Sequence, residues 1–382
     1  MRAVRAANAL TARWAETVSG SVVLSGAGVW PLLALLAEGA AGDARAELAR
    51  ALGRPADGAA EGAREILSIL DGPGAARAAI GVWRRRGLAL HDAWRALVPD
   101  GALGELTSRS ALDAWAADRT DGLIPAMPVD LHDDTPLVAA TALAVRTTWL
   151  RPFADGIEGI TDGPWAGRDI AVVRRTGVHL DRVRRAETPA GPLTLARVMG
   201  TGGVDVHLVL GEERRAPGAV LAAAVGALAD RRAVPGGALP FGAPSPGVRV
   251  VAARAHAPDD VLALTVPRFE VRSSHDLLDL PDVFGLRAVT DAARRPLAGI
   301  SDAPLAIAGA RQEALARFHA RGFEAAAVTG FAAAAGVPPP PPYRVRRVEA
   351  VFDRPFGVLC ADRRSGLVLA AAWIAEPEDA PG

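Results

Sequence analysis

The sequence has no lysine, a single cysteine, and no excess of charge of either sign. Its 43 basic residues, all arginine, balance 43 acidic residues. A protein that binds nucleic acid without sequence preference needs a basic excess, so this balance argues against that class. The one cysteine, Cys360, excludes an intrachain disulfide and a metal site with several cysteine ligands. Because Cys360 lies in an apolar run, we expect a buried thiol.

Long apolar runs are also missing. Arg2, Arg5 and Arg13 interrupt the first fifteen residues, which therefore lack the continuous apolar core of a secretory signal. No stretch of the sequence is both long enough and apolar enough to span a bilayer. We therefore expect a soluble, cytoplasmic protein that has no membrane partner. A truncated leader or unconventional release is the alternative.

Motifs of known catalytic and cofactor sites are missing as well. There is no Gly-x-Ser-x-Gly motif, no His-Glu-x-x-His motif and no phosphate-binding loop. The glycine-rich residues 200–203 lie between two predicted strands, where a hairpin turn is favoured over a phosphate site. The seven histidines are scattered along the chain. The sequence therefore predicts neither an enzyme nor a bound cofactor or metal.

The predicted secondary structure changes near residue 135. Helical spacing dominates before this point, and runs typical of strands dominate after it. The predicted helices cover residues 3–18, 30–37, 42–53, 59–70, 106–118, 217–230 and 277–285. The predicted strands cover residues 22–24, 80–84, 135–148, 193–199, 204–210, 248–255, 261–266, 269–272, 357–361 and 367–374. This order favours an α+β fold in one domain, residues 1–382, with N-terminal helices packed on a large, mainly antiparallel central sheet.

Residues 321–336 have an unusual composition for a loop. They are mostly alanine with a single acid, and glycines and the prolines of residues 338–342 flank them, as is typical of a loop. In an extended conformation, alternate residues starting at Phe323 would form one nearly apolar face, and the other face would tolerate water. The stretch is therefore composed like a spare strand. An alanine-rich helix or an inert linker is the alternative.

Five segments elsewhere carry a family resemblance. They are residues 22–48 (beginning V-V-L-S-G-A-G-V-W-P), 112–124 (L-D-A-W-A-A-D-R-T-D-G-L-I), 141–153 (T-A-L-A-V-R-T-T-W-L-R-P-F), 266–271 (V-P-R-F-E-V) and 352–356 (F-D-R-P-F). Each segment alone is weak evidence for a family. Together, in this order and at this spacing, the segments resemble the serpin family of serine protease inhibitors over residues 5–377. The arginine-, alanine-, glycine- and proline-rich composition indicates a GC-rich genome, so we expect a bacterial type of this family.

The resemblance implies a serpin fold with an exposed reactive-centre loop, here residues 320–343 with the hinge and the proline tract. In this family a serine protease cuts the loop, which then inserts into the main sheet as an extra strand and distorts the attached acyl-enzyme. The family's loop spacing places the cut between Gly336 and Val337, and small residues there suggest an elastase-like or subtilisin-like target. The implied protein is a monomeric inhibitor. The implied hinge residues are Ala320, Arg321, Gly322, Phe323, Glu324, Ala325, Ala326, Ala327 and Thr329.

The resemblance also implies a gate under the sheet, where the central strands part. Its implied members are Ser25, Gly28, Asp113, Thr141, Trp149 and Gln312. Gln312 replaces the family's usual histidine, and Ala320 replaces its hinge glutamate. Phe323 replaces a small hydroxyl residue, and overfilling a packed interior costs about 1–3 kcal/mol. Two hypotheses therefore stand: an inhibitor, or a serpin-fold protein that acts as a binding, carrier or recruited pathway protein.

Overall fold

The computed structural model of this chain describes residues 2–71, 76–120, 122, 126, 137–145, 147–323 and 341–381. The α-helices in these residues are α1 (Arg2–Ala15), α2 (Gly26–Gly39), α3 (Gly42–Leu52), α4 (Ala59–Leu70), α5 (Asp92–Arg95), α6 (Arg109–Arg119), α7 (Pro217–Ala227) and α8 (Pro281–Phe284). The strands of the first half are β1 (Val22–Leu24), β2 (Ala76–Arg85), β3 (Leu103–Leu106), β4 (Leu137–Val145), β5 (Thr147–Thr148), β6 (Ala154–Gly159), β7 (Asp169–Gly177), β8 (Val183–Thr188), β9 (Gly191–Met199) and β10 (Val204–Leu210). Those of the second half are β11 (Val234–Pro235), β12 (Gly242–Ser245), β13 (Val248–Ala255), β14 (Val261–Pro267), β15 (Phe269–Asp276), β16 (Gly309–Phe318), β17 (Gly322–Phe323), β18 (Tyr343–Val351), β19 (Phe356–Asp362) and β20 (Val368–Ile374).

Three sheets contain most of the strands. The seven-stranded sheet has the order β1-β20-β19-β10-β9-β8-β11, and the six-stranded sheet has the order β12-β13-β18-β14-β7-β6. The five-stranded sheet has the order β15-β16-β4-β2-β3, and the short strands β17 and β5 pair next to it. Most of these pairings are antiparallel. The predicted α+β fold, with N-terminal helices packed on large, mainly antiparallel sheet structure, is therefore confirmed.

Helix α2 lies inside the core and is buried along nearly its whole length. A helix that is apolar on every side is typical of such a position. Ser25 begins the helix, because its side-chain oxygen accepts a hydrogen bond from the backbone N–H of Gly28 (3.0 Å). The helix therefore starts four residues before the predicted residue 30. The glycines of its first turn are poor helix formers, so the local sequence does not indicate this start.

The five-stranded sheet lies between α2 and α6. On β4, Leu137 and Ala139 belong to the main core that contains α2. The alternate residues Val138 and Ala140 pack with Leu112 of α6 in a separate cluster on the opposite face. The odd-numbered residues of β4 therefore face the main core with α2, and the even-numbered residues face α6.

Candidate functional site

Strands β16 and β4 run parallel to each other in the middle of the five-stranded sheet, and we call their contact the central seam. The two strands pair in register from Gly309 opposite Val138 to Leu315 opposite Ala144. A chain that turns back after β16 would run antiparallel to both strands. Antiparallel pairing is slightly more stable per residue than parallel pairing. The seam is therefore a place where a returning strand could find a favourable partner on each side.

A fully buried amide closes the seam on the side of α2. Gln312 of β16 lies opposite Thr141 of β4, and its Nε2 donates hydrogen bonds to Thr141 Oγ1 (3.2 Å) and to the backbone oxygen of Ser25 (3.0 Å). Its Oε1 accepts from the backbone N–H of Ser25 (2.8 Å). Ser25 Oγ in turn donates to the backbone oxygen of Leu369 on β20 (2.5 Å). Satisfied buried networks of this kind stiffen the elements they connect.

Gly28 provides the space that the amide occupies. A Cβ atom at this position would lie 3.3 Å from Nε2 of Gln312 and 3.4 Å from Oγ of Ser25, which is tighter than an ordinary contact. The structure thus brings together four of the predicted gate residues: Ser25, Gly28, Thr141 and Gln312.

The other two predicted gate residues lie elsewhere, which corrects their grouping under the sheet. Asp113 is on α6, whose Leu112 and Ala116 pack on the face of the sheet away from α2. Trp149 follows β5 and lies next to the end of β16. The sequence motifs place these residues in order along the chain. They do not show on which face of the sheet each residue lies, because that depends on the alternation along the strands and on the path of α6.

The base of the predicted loop is a tight hairpin after β16. The backbone N–H of His319 donates to the oxygen of Gly322 (3.1 Å), so the chain reverses over Ala320 and Arg321. Strand β17 then pairs antiparallel with β5, which follows β4 along the chain. Ala320 is buried in the main core, whereas Arg321 is exposed.

Gly322 makes this pairing sterically possible. It lies opposite Thr148, and Phe323 lies opposite Thr147. A Cβ atom on Gly322 would lie only 2.5 Å from the backbone oxygen of Thr147, a distance that real side chains do not tolerate. The absence of a side chain therefore allows the loop base to approach β5.

Residues 147–153, which we call the connecting segment, hold the hairpin from the other side. The backbone N–H of Trp149 donates to the oxygen of Arg321 (3.0 Å), and that of Phe153 donates to the oxygen of Ala320 (2.8 Å). Two backbone hydrogen bonds therefore join the connecting segment to the loop base.

Aromatic rings pack beneath the hairpin. Trp149 lies 4.9 Å from Phe318 between ring centroids, and Phe153 lies 5.8 Å from Phe318. The indole N–H of Trp149 also donates to the backbone oxygen of His319 (2.8 Å). These contacts give the hinge a rigid base.

Several predicted site residues lie outside the described residues and stay predictions. They are the side chain of Phe323 and the residues Glu324, Ala325, Ala326, Ala327, Thr329, Gly336 and Val337.

The described part of the chain contains no cluster of three or more potential metal ligands among His, Cys, Asp and Glu. None of its helices is both long enough and apolar enough to cross a membrane. Cys360 is a buried thiol, as predicted, and burial raises its pKa so that it stays protonated.

Comparison with known proteins gives a consistent match. The family model described as Serpin (serine protease inhibitor) matches residues 3–157 and 250–377. The rice protein Putative serpin-Z6C is 25% identical over 406 residues, which cover 94% of this chain and 92% of that protein. Rice Serpin-Z2B is 26% identical and covers 94% and 91% of the two chains. The expected bacterial type is not supported, because these relatives are plant proteins, and composition alone does not identify a lineage.

Solved structures show the same fold. Human thyroxine-binding globulin, solved in complex with thyroxine, has a TM-score of 0.75 at 15% identity and covers 99% of both chains. Serpin48 of the insect Tenebrio molitor, described as a highly specific serpin, has a TM-score of 0.71 at 17% identity and covers 97% of both chains. At these identities the likeness concerns the fold alone.

Proposed function

Because the chain belongs to the serpin family of protease inhibitors, which are not catalytic enzymes, we propose that it is a suicide inhibitor of a serine endopeptidase. In this proposal residues 320–343 form the reactive-centre loop of a single domain. The protease cuts between Gly336 and Val337, and the loop enters the central seam. The observation that carries the proposal is the pairing of β17 with β5, since it sets the loop base in an antiparallel register next to the seam.

That register predicts where each loop residue would lie after insertion. Continued one residue at a time, it places Ala325 opposite Val145 and Thr329 opposite Thr141. Directly opposite residues in neighbouring strands point to the same face of a sheet. Thr141 and Val145 face the main core. The small residues of the apolar loop face would therefore enter the core side, and Thr329 would arrive level with Gln312.

Insertion needs the gate to open first. A new strand widens the seam by one strand spacing, about 4.8 Å. The hydrogen bond between Gln312 and Thr141 (3.2 Å) would then break, together with the parallel ladder of the seam. Each lost hydrogen bond costs about 1 kcal/mol net, and the inserted strand replaces the ladder with two antiparallel ones. Opening of the gate therefore sets the activation barrier to insertion. The new hydrogen-bond ladders and the burial of the apolar loop face supply the favourable free energy of insertion.

The sequence around the cut suggests the class of target. Residues 332–336 are alanine and glycine, which suit the small binding pocket of an elastase-like protease or the groove of a subtilisin-like one. The five prolines after Val337 lack backbone N–H groups and would stay out of a central strand. They would act as a stiff spacer of about 3 Å per residue.

A second candidate function is ligand binding without inhibition. The satisfied network around Gln312 opposes opening of the seam, and Phe323, in place of a small residue, opposes insertion of the loop. Human thyroxine-binding globulin, solved with thyroxine, has the same fold, so a carrier or another binding protein is compatible with this scaffold. In this alternative the loop would be cut without inserting.

The experiment that separates the two is a denaturing gel after incubation with pancreatic elastase or with subtilisin. The inhibitor proposal predicts a band at the summed mass of protease and inhibitor that survives denaturation, and a released C-terminal fragment that begins at Val337. Complete cleavage of the loop by both proteases without such a band would favour the binding protein.

A further inference from the structure

A pocket with a volume of about 330 Å³ opens beside the connecting segment, between the six-stranded and seven-stranded sheets. Its floor is apolar and buried, with contributions from Val183, Ala196, Leu262 and Leu264. Leu150 stands at the mouth and is 55% exposed. Volume and lining are typical of a small-molecule site, for which about 300–1,000 Å³ is usual.

The rim of this pocket is strongly basic. The lining residues that carry basic side chains are Arg151, Arg175, Arg182, Arg197 and His179, and none of the described lining residues carries a carboxylate. In the described structure, Arg197 alone of these arginines forms an ion pair, with Asp205 outside the pocket lining.

The pKa of Arg175 is lowered by its burial among other positive charges. Its guanidinium lies 4.3 Å above the ring of Phe153 and donates to the backbone oxygen of Arg151 (2.8 Å). Burial, and then repulsion from Arg151 and Arg182, lower the pKa of Arg175 to about 10. Arg175 is therefore still charged at neutral pH, beside like charges. A bound anion would relieve this repulsion.

We propose that the pocket binds a small organic anion with an apolar body, such as a medium-chain carboxylate. The apolar body would lie on the floor formed by Leu262, Leu264 and Ala196. The anionic head would lie among Arg151, Arg175 and Arg182, whose planar guanidinium groups suit carboxylate oxygens. This binding does not depend on inhibition of a protease.

The pocket shares the connecting segment with the hinge. Leu150 and Arg151 line the pocket, and their neighbours Trp149 and Phe153 donate the hydrogen bonds that hold the loop base. The backbone N–H of Leu150 donates to the oxygen of Met199, another lining residue (3.1 Å). An anion held at residues 150–151 would therefore stabilise the hinge.

Binding is tested by isothermal titration calorimetry of the full chain with octanoate and with octanol, which has the same chain length and no charge. We expect one site per chain and octanoate affinity at least about fivefold higher than that of octanol. Arg182→Gln should weaken octanoate binding about fivefold and leave octanol binding unchanged. The matched control is Arg174→Gln, which removes the same charge beside Arg175 but from a side chain paired with Glu158 outside the pocket.

Thermal melts of both variants check the fold, and Arg151→Gln replaces Arg182→Gln if the latter is unstable. Equal affinity for octanoate and octanol would overturn the proposal, as would equal loss of octanoate binding in Arg174→Gln. Absence of octanoate binding in the parent chain would do the same.

The hinge coupling has its own test, which needs no protease. Hydrogen exchange of the backbone amides of Trp149 and Phe153 is followed with and without saturating octanoate. We expect exchange to slow at least about threefold, because the donors to Arg321 and Ala320 open less often. Unchanged exchange at full occupancy would overturn the coupling, while the binding site would stand on the calorimetry.

Discussion

The side chain of Gln312 links the two central strands β16 and β4 to the start of α2. Its amide satisfies the backbone N–H and oxygen of Ser25 and the hydroxyl of Thr141 at once. Removal of the amide leaves the buried N–H of Ser25 without its partner, at a cost of about 1–3 kcal/mol, while the Ser25 oxygen still accepts from the backbone N–H of Val29 (3.3 Å). The residue therefore stabilises the closed seam more than an apolar side chain of the same size would.

We predict that Gln312→Ala lowers the melting temperature of the uncut protein and speeds loop insertion after cutting. The melting temperature is measured by calorimetry, and insertion by the rate at which the cut protein gains thermal stability. The control Arg317→Ala lies on the same strand but removes a surface ion pair with Glu270, so it should change insertion little. A Gln312→Ala protein that inserts no faster than Arg317→Ala would contradict the gate.

Phe323 pairs with Thr147 at the base of the loop and begins the alternating face that would lie on the core side of the sheet after insertion. Replacement by a small hydroxyl residue should remove an overpacking cost of about 1–3 kcal/mol. We predict that Phe323→Thr raises the rate constant of protease inhibition about tenfold, as measured by progress curves with the inhibited protease. An unchanged rate, where the parent already inhibits measurably, would show that Phe323 does not limit insertion.

At the scale of elements, the hairpin between β16 and β17 depends on a close approach of two backbones. Gly322→Ala would place a Cβ atom 2.5 Å from the backbone oxygen of Thr147, so we predict that β17 separates from β5. Amide exchange of Trp149 should then become at least about tenfold faster. Gly309→Ala is the matched control on β16, because a Cβ atom there meets nothing within 4 Å. Equal exchange in the two variants would contradict the steric role of Gly322.

The sequence predicted elements well where a local pattern was complete. Helix α4 was predicted at its observed bounds, residues 59–70, because its apolar spacing is regular. Strand β16 was missed, although Ala310, Gln312 and Ala314 alternate with less buried residues up to Glu313. The polar Gln312 interrupts the apolar pattern, and it is buried with hydrogen bonds to Ser25 and Thr141. Local patterns therefore fail where a residue is buried for its hydrogen bonds.

The sequence predicted which residues belong to the candidate site better than it predicted where they lie. The family resemblance brought Gln312, Thr141, Ser25 and Gly28 together, as the structure has them. It grouped Asp113 with them as well, although α6 lies on the other face of the sheet. Which face a segment covers is decided by long-range packing, which no local pattern encodes.

At the scale of the whole molecule, a buried histidine couples stability to pH. His207 of β10 lies in the interior of the seven-stranded sheet, where burial, more than the opposing influence of Asp205, lowers its pKa to about 4. The unfolded chain takes up this proton near pH 6.5. Between these values the unfolded state binds more protons, so stability is complete above about pH 6.5 and falls as pH decreases towards 4.

We predict a loss of about 3 kcal/mol in unfolding free energy from this histidine between pH 7 and pH 4. His207→Gln should flatten that part of the stability profile, whatever its stability at neutral pH. The partly buried His275, whose pKa is also lowered by desolvation, contributes in the same direction and remains in the variant. The control is His256→Gln, since this side chain is exposed. Parallel profiles for His207→Gln and the parent in chemical denaturation would contradict the assignment.

The measurement that tests the central claim most directly is a thermal melt of the protein before and after a single cut within residues 331–337. If the loop enters the seam, about ten new residues join the sheet, and their hydrogen bonds should raise the melting temperature by at least about 10 °C. An unchanged melting temperature of the cut protein, with the cut confirmed by mass, would contradict insertion and leave the binding function as the account of this fold.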